Sequence, residues 1–383
     1  NNGIGNAGTG SIYIQDAQLN QGLIAQEVIT TTTTALYGGI TDNTPRLDYT
    51  DSSCPALLLE PLRTNLVNYS NSYDFNTTRS IRGSAANRKG VDGFLYSANG
   101  SSPNIADSFS PYSQGYQVLS VVIDSANTDY FNIKLATGGN ASQGVSATFT
   151  PSAKSWSSIS ENTSFIVSGS GFVDYIDLGD GIFRLIIGAD FNNVSSSSFF
   201  PVLYFGAGNS NVFIGGIQLE AGSYATSYIP TYGSSVSRVA DDTTITNLQS
   251  KNIVGNTFSY YFEWGDYVAN RNFEIKDSSS FNFLFMVSRL IRYIKQDGSV
   301  DSLFILPANG TSLKSLISYD GTTLKGYING SLAGSVTNAK VDNFSDFDLL
   351  RLDRSMDDRE ELKQVMLFPT ALTDQEAIDL TTI

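Results

Sequence analysis

The chain carries one passage twice. Ser11 to Thr31 reads SIYIQDAQLNQGLIAQEVITT, and Asn211 to Thr231 reads NVFIGGIQLEAGSYATSYIPT. Aligned without gaps, the two coincide at Ile14/Ile214, Gln18/Gln218, Leu19/Leu219, Gly22/Gly222, Ala25/Ala225, Ile29/Ile229 and Thr31/Thr231. Ile12 and Tyr13 also match Val212 and Phe213 in kind. A repeat held at fixed spacing means that both copies need the same inward-facing side chains, as in proteins built from modules. The second copy closes a long β-rich stretch. The first is therefore expected to close a preceding module over residues 1–34, with the threonine run Thr30 to Thr34 as a linker. On this reading the chain is the C-terminal part of a longer modular protein. Residues 11–29 are expected to pack as a strand-bearing piece on the first module or on a neighbouring chain, because Ile12, Ile14 and Leu19 would otherwise form an unpaired apolar edge.

At 383 residues the chain exceeds one ordinary core. Hydrophobic residues at 41%, with 20 Tyr and 23 Phe, are enough to fill two cores, so global disorder is excluded. The net charge of -14 argues against nucleic-acid binding, which wants a basic stripe. No apolar run approaches a membrane span, so no membrane insertion is expected. A single cysteine, Cys54, allows no intrachain disulfide. Histidine is absent altogether, which removes Ser-His-Asp and Cys-His catalysis and His-ligated zinc.

The secondary-structure signals are those of short strands. Tyr116 to Ile123, Tyr130 to Leu135, Phe172 to Ile176, Phe183 to Ile187, Phe199 to Phe205 and Val212 to Leu219 are β runs without helical period. Asp297-Gly298, Asp320-Gly321 and Asn329-Gly330 supply the positive φ that tight hairpin turns demand. One helix is expected, at the end, where Thr373-Asp374-Gln375-Glu376 is a capping box followed by Ala377, Ile378 and Leu380. The fold expected is all-β: tandem jelly-roll β-sandwiches with a short C-terminal helix. Residues 35–242 form the first whole module, and 243–383 form the second.

Three motifs occur in order: PRLDYTDSSCPALLLEPLRTNL from Pro45 to Leu66, GDGIFR from Gly179 to Arg184, and GIQLEAGSYATSYIPT from Gly216 to Thr231 with a SRVADD tail. Together they resemble a module of bacteriophage tail-fibre and tail-spike proteins. Ile182-Phe183 departs from the Trp-Tyr that this family often has, which leaves no Trp platform there. The second module, through YDGTTLKGYINGSLAGS and KQVMLFPTALTDQEAIDL, resembles laminin-G and concanavalin-A-like lectin jelly rolls. These resemblances imply a virion fibre or tail protein, a homotrimer among other virion proteins, that adheres to host-surface polysaccharide. A purely architectural virion protein and a capsular polysaccharide depolymerase stay open as alternatives.

Glu60, Arg63 and Arg238 fall inside the first module's motifs and are expected to form a structural ion-pair network, because a lone charge beside Leu57-Leu58-Leu59 is costly. Trp156, Trp264, Tyr224 and Tyr228 are the aromatic candidates for stacking on sugar rings. Without histidine, hydrolysis would need two carboxylates across a cleft. Asp174, Asp177 and Asp180 are available in the first module, and Asp346, Asp348, Asp353, Asp357 and Asp358 in the second. No cofactor is expected, although calcium would find oxygen ligands in Asp342, Asn343, Asp346 and Asp348.

Overall fold

The computed structural model describes residues 46–48, 56–72, 80–99, 103–106, 114–138, 140–191, 198–206, 209–241, 243–248, 250–251, 256–265, 273–276, 283–287, 290–294, 300–305, 313–337, 349–352 and 360–383. The upstream copy of the repeat, the threonine linker and Asp297-Gly298 lie outside the described residues, as do Asp342, Asn343, Asp346, Asp348, Asp353, Asp357 and Asp358. The fold is all-β, with two sandwiches of jelly-roll type and one short C-terminal helix.

In the first sandwich, Gly115–Asp124 runs through the middle of a six-stranded sheet between Ile182–Phe191 and Val212–Ala221. Phe131–Thr137 is central to the facing sheet, flanked by Asn140–Thr150 and Phe199–Phe205. Alternation decides which side chains face inward: Leu119, Val121 and Ile123 meet Phe131, Ile133 and Leu135 in one core. The hairpin Phe172–Gly179 to Ile182–Phe191 turns on Gly179, Asp180 and Gly181, with φ of 81°, 56° and 76°. Only residues tolerant of the left-handed region fit such a turn.

In the second sandwich, Phe258–Trp264 lies between Leu313–Tyr319 and Glu360–Phe368. Phe258, Tyr260, Phe262 and Trp264 point into a core shared with Ile275 and Leu350 of the facing sheet. The Asn329-Gly330 turn joins Thr323–Ile328 to Ser331–Thr337, with φ of 46° and 79°. Helix Asp374–Thr381 starts on a complete capping box, in which the Glu376 amide donates to Thr373 Oγ1 (3.3 Å) and the Thr373 amide donates to Glu376 Oε2 (2.8 Å). Its Ala377, Ile378 and Leu380 cover Tyr261, Leu316 and Tyr327 on the outer side of the sheet.

The two sandwiches do not simply follow one another. Arg46–Asp48 and Ala56–Leu59, grouped by sequence with the first module, hydrogen bond into the sheet of the second, where Leu57 faces Leu362 and Leu59 faces Glu360. The chain then crosses to the first sandwich at Arg63–Asn65 and returns beside itself at Val236–Arg238. The two crossings are joined: the Glu60 amide donates to Asp241 Oδ2 (2.7 Å) and the Asp241 amide donates to Glu60 O (3.0 Å). The first sandwich is thus inserted in the second, through a two-stranded neck.

Candidate functional site

The residues of the first module's motifs build its own framework. Glu60 is 1% exposed; its Oε1 accepts from the Ser227 amide (2.8 Å) and its Oε2 pairs with Arg238 Nη1 (3.1 Å). Arg238 also donates to the carbonyls of Ser227 (3.2 Å) and Pro61 (3.3 Å). Arg63 takes a different place from the one expected. Its guanidinium lies 5.2 Å from the ring centre of Tyr224, and the Glu60 oxygens are engaged by Ser227 and Arg238.

The same logic runs through the closing passage. Gln218 Oε1 accepts from the Ile229 amide (2.6 Å), and Asn65 Nδ2 donates to the carbonyls of Ile217 (3.1 Å) and Ile229 (2.8 Å). Glu220 accepts from the Thr226 amide (3.0 Å) and from the Thr226 hydroxyl. Arg184, the Arg of GDGIFR, is 7% exposed and donates to Ser120 Oγ (2.7 Å). Glu60, Asn65, Gln218, Glu220 and Arg184 are buried and hydrogen bonded, which is what a low-dielectric interior requires. The motifs are staples that tie the closing loop to the sheet.

The aromatic candidates divide by burial. Trp264 is 1% exposed inside the second core and has no face left for a sugar ring. Tyr228 is largely enclosed, shares a 2.6 Å hydrogen bond with Ser70 Oγ, and is pushed well above the ordinary phenol range by burial. Tyr224 is half-buried under Arg63. Trp156 is half-buried, with its ring centroid 5.1 Å from that of Phe149, which in turn meets Phe183 at 5.3 Å.

A concave site does exist, at one end of the first sandwich. Successive antiparallel strands bring alternate turns to the same end, so loops distant in sequence converge there. A groove of about 470 Å³ is lined by Ser125, Thr128, Asp129, Pro151, Lys154, Asp177, Asp180 and Phe183, among others. An adjoining hollow of about 330 Å³ shares Ser125, Thr128 and Asp129 and adds Asn127, Asn209 and Ser210. The loop after Gly115–Asp124 is set by Asp124, whose Oδ1 accepts from the Ala126 amide (2.9 Å) and whose Oδ2 pairs with Arg88 (2.8 Å). Ser125 Oγ ties that loop to the Gly181 carbonyl (2.9 Å). Tyr130, next to Asp129, is 40% exposed.

Of the carboxylates weighed for hydrolysis, Asp177 and Asp180 both line this groove, while Asp174 is exposed and accepts from the Tyr175 amide. Asp177 and Asp180 each have a lysine. Lys154 Nζ is 2.6 Å from Asp177 Oδ2, and Lys89 Nζ is 2.5 Å from Asp180 Oδ2. The Lys154 hydrogen bond and the Gly179 amide hold Asp177 below the usual carboxylate range, and the same contact raises Lys154. A general acid needs the opposite shift. What the groove offers is acceptor oxygens, amides and hydroxyls around a partly apolar floor. Asp129, Lys154, Asn127 and Asn209 were missed from sequence; the available signal was only that each stands in a turn. Among the described residues no cluster of three metal-ligating side chains occurs.

No family model matches the chain, and a search of curated proteins finds no match. Among solved structures it is similar to the Ruminococcus gnavus IT-sialidase CBM40 bound to alpha2,3 sialyllactose, at 12% identity over 36% of this chain and 91% of that one, with a TM-score of 0.30. It is similar to a putative carbohydrate binding protein from Bacteroides ovatus, at 10% identity over 74% and 81% of the two chains, TM-score 0.22. Mouse laminin alpha1 chain domains LG4-5 align at 9% identity over 90% and 96%, TM-score 0.21. At such scores these likenesses carry no weight in assigning the groove, which rests on its own residues.

Proposed function

We propose that the chain is a non-catalytic adhesion protein that binds surface glycans through the loop groove of its first sandwich. The observation that carries this reading is the groove itself: a polar hollow at the end of a rigid sandwich, rich in acceptors and floored by Phe183 and Pro151. Shallow sites of this kind suffice for weak sugar affinity, and several copies on one particle multiply it. The three motifs of the first module, through their resemblance, support assignment to a bacteriophage fibre or tail, as a homotrimer on the virion beside other virion proteins, with host polysaccharide as target. The depolymerase alternative asks for a carboxyl kept protonated, and Asp177 is held the other way.

A glycan array probed with the purified protein, with and without calcium, tests the reading. Binding is expected, and it is expected to fall on Asn209→Ala, which lines the hollow and lies outside the buried framework. Absence of binding to any glycan would refute adhesion. Release of oligosaccharides from host capsule would refute the non-catalytic assignment.

A further inference from the structure

The groove's charges are arranged unevenly. The lysine in its lining, Lys154, is already engaged by Asp177 at 2.6 Å, and Lys89, beside the lining, holds Asp180 at 2.5 Å. Asp177 has its other oxygen occupied as well, since Oδ1 accepts from the Gly179 amide at 2.9 Å. Asp129 adds a third carboxylate on the exposed side of the groove. Three carboxylates against two lysines leave the groove negative, on a chain whose net charge is -14.

An acidic sugar entering here would have to displace a lysine from its aspartate and would approach against the field of the whole molecule. A sugar hydroxyl meets no such obstacle. It donates to a carboxylate oxygen, and the charged acceptor makes that hydrogen bond stronger than a neutral one. An ammonium group at the same point gains Coulomb attraction besides. At about 4 Å in water one such charge pair changes affinity by roughly fivefold, in either direction according to sign.

We propose that the groove selects glycans free of carboxylate, sulfate and phosphate, and that it favours those carrying a free amino sugar. This rests on the groove being the glycan site. The lysines therefore serve to hold the loops that carry Asp177 and Asp180, rather than to clamp an anionic ligand.

The test is an array of three classes of oligosaccharide: neutral (cello-, manno- and N-acetylchito-oligosaccharides), free-amine (chitosan oligosaccharides) and acidic (oligogalacturonate, sialyllactose, heparin fragments). Signal is expected in the neutral and free-amine classes. The free-amine signal should weaken with added salt, as exposed charge pairs do. Asp129→Asn should lower free-amine binding about fivefold and neutral binding by less, because a hydroxyl loses only the charge of its acceptor while an ammonium loses the ion pair. Asp129 is exposed, so this variant tests charge without threatening the fold. Preferential binding of the acidic class, or free-amine binding indifferent to Asp129→Asn, would overturn the selectivity while leaving adhesion standing. Silence across all three classes would remove the glycan site itself, and the selectivity with it.

Discussion

Substitution of Glu60 by glutamine is the sharpest probe of how this molecule holds together. Glu60 is 1% exposed and the Arg238 side chain 9%, so their 3.1 Å contact is shielded from water. In Glu60→Gln the new carboxamide would still accept from Ser227 through its oxygen, but its nitrogen would face Arg238 Nη1, donor against donor. Arg238 would be left charged, buried and opposed. Removing one member of such a pair costs about 3–5 kcal/mol. For a sandwich of this size that is a fall in Tm of roughly 6–20 °C. Thermal and denaturant unfolding of Glu60→Gln, Arg238→Met and the double variant measure it. The double variant should be less destabilised than the sum of the singles, because each single strands the other's charge. Arg63→Ala, which loses the stack over Tyr224 and an exposed hydrogen bond from Nη1 to the Leu62 carbonyl (3.2 Å), should cost about 0.5–1 kcal/mol. An unchanged Tm for Glu60→Gln, or strong coupling of Glu60 to Arg63 in place of Arg238, would refute the reasoning.

Thr373→Ala should cost about 1 kcal/mol of helix stability, read by far-ultraviolet dichroism on melting. Glu376 is held below its ordinary range by the Thr373 amide and hydroxyl, and Asp374 by Lys325 and Tyr327. Their contribution is therefore present above the unfolded carboxylate range and lost as pH falls through the depressed values; a Tm–pH curve should show this acid loss, smaller in Thr373→Ala. Gly330→Ala should destabilise by about 1–2 kcal/mol in denaturant unfolding, since φ is 79° and the new Cβ would sit 2.9 Å from Thr382 Oγ1. Phe149→Ala should cost about 3–5 kcal/mol and shift Trp156 fluorescence, because Phe149 is fully buried between Trp156, Tyr175 and Phe183.

Much of the strand pattern was legible because apolar runs and turn chemistry coincide. Phe199–Phe205 is a bare apolar run, and Asn329-Gly330 admits little but a hairpin. Ser80–Arg88 was not legible. Its serines, alanines and asparagine carry little β propensity; it forms because it pairs with Val91–Ala98 and lays Arg82 over Phe94 at 4.8 Å. The insertion was equally hidden. An apolar triplet such as Leu57-Leu58-Leu59 suits either sandwich, and its partner Glu360–Phe368 lies some 300 residues away. At the groove, Asp177 and Asp180 stood out as carboxylates. Their lysines come from loops that only the closed sandwich brings near.

The neck between the sandwiches has a mechanical consequence. Tension applied between Arg46 and Ile383 enters and leaves through the second sandwich, whose sheet contains both Ala56–Leu59 and Glu360–Phe368. The load meets those rungs first, then the reciprocal bonds of Glu60 and Asp241, with the Glu60–Arg238 pair beside them. The groove-bearing sandwich hangs off this line as a side branch. A pull along the chain would therefore strain the second sandwich and leave the shape of the groove unaltered until the neck itself parts.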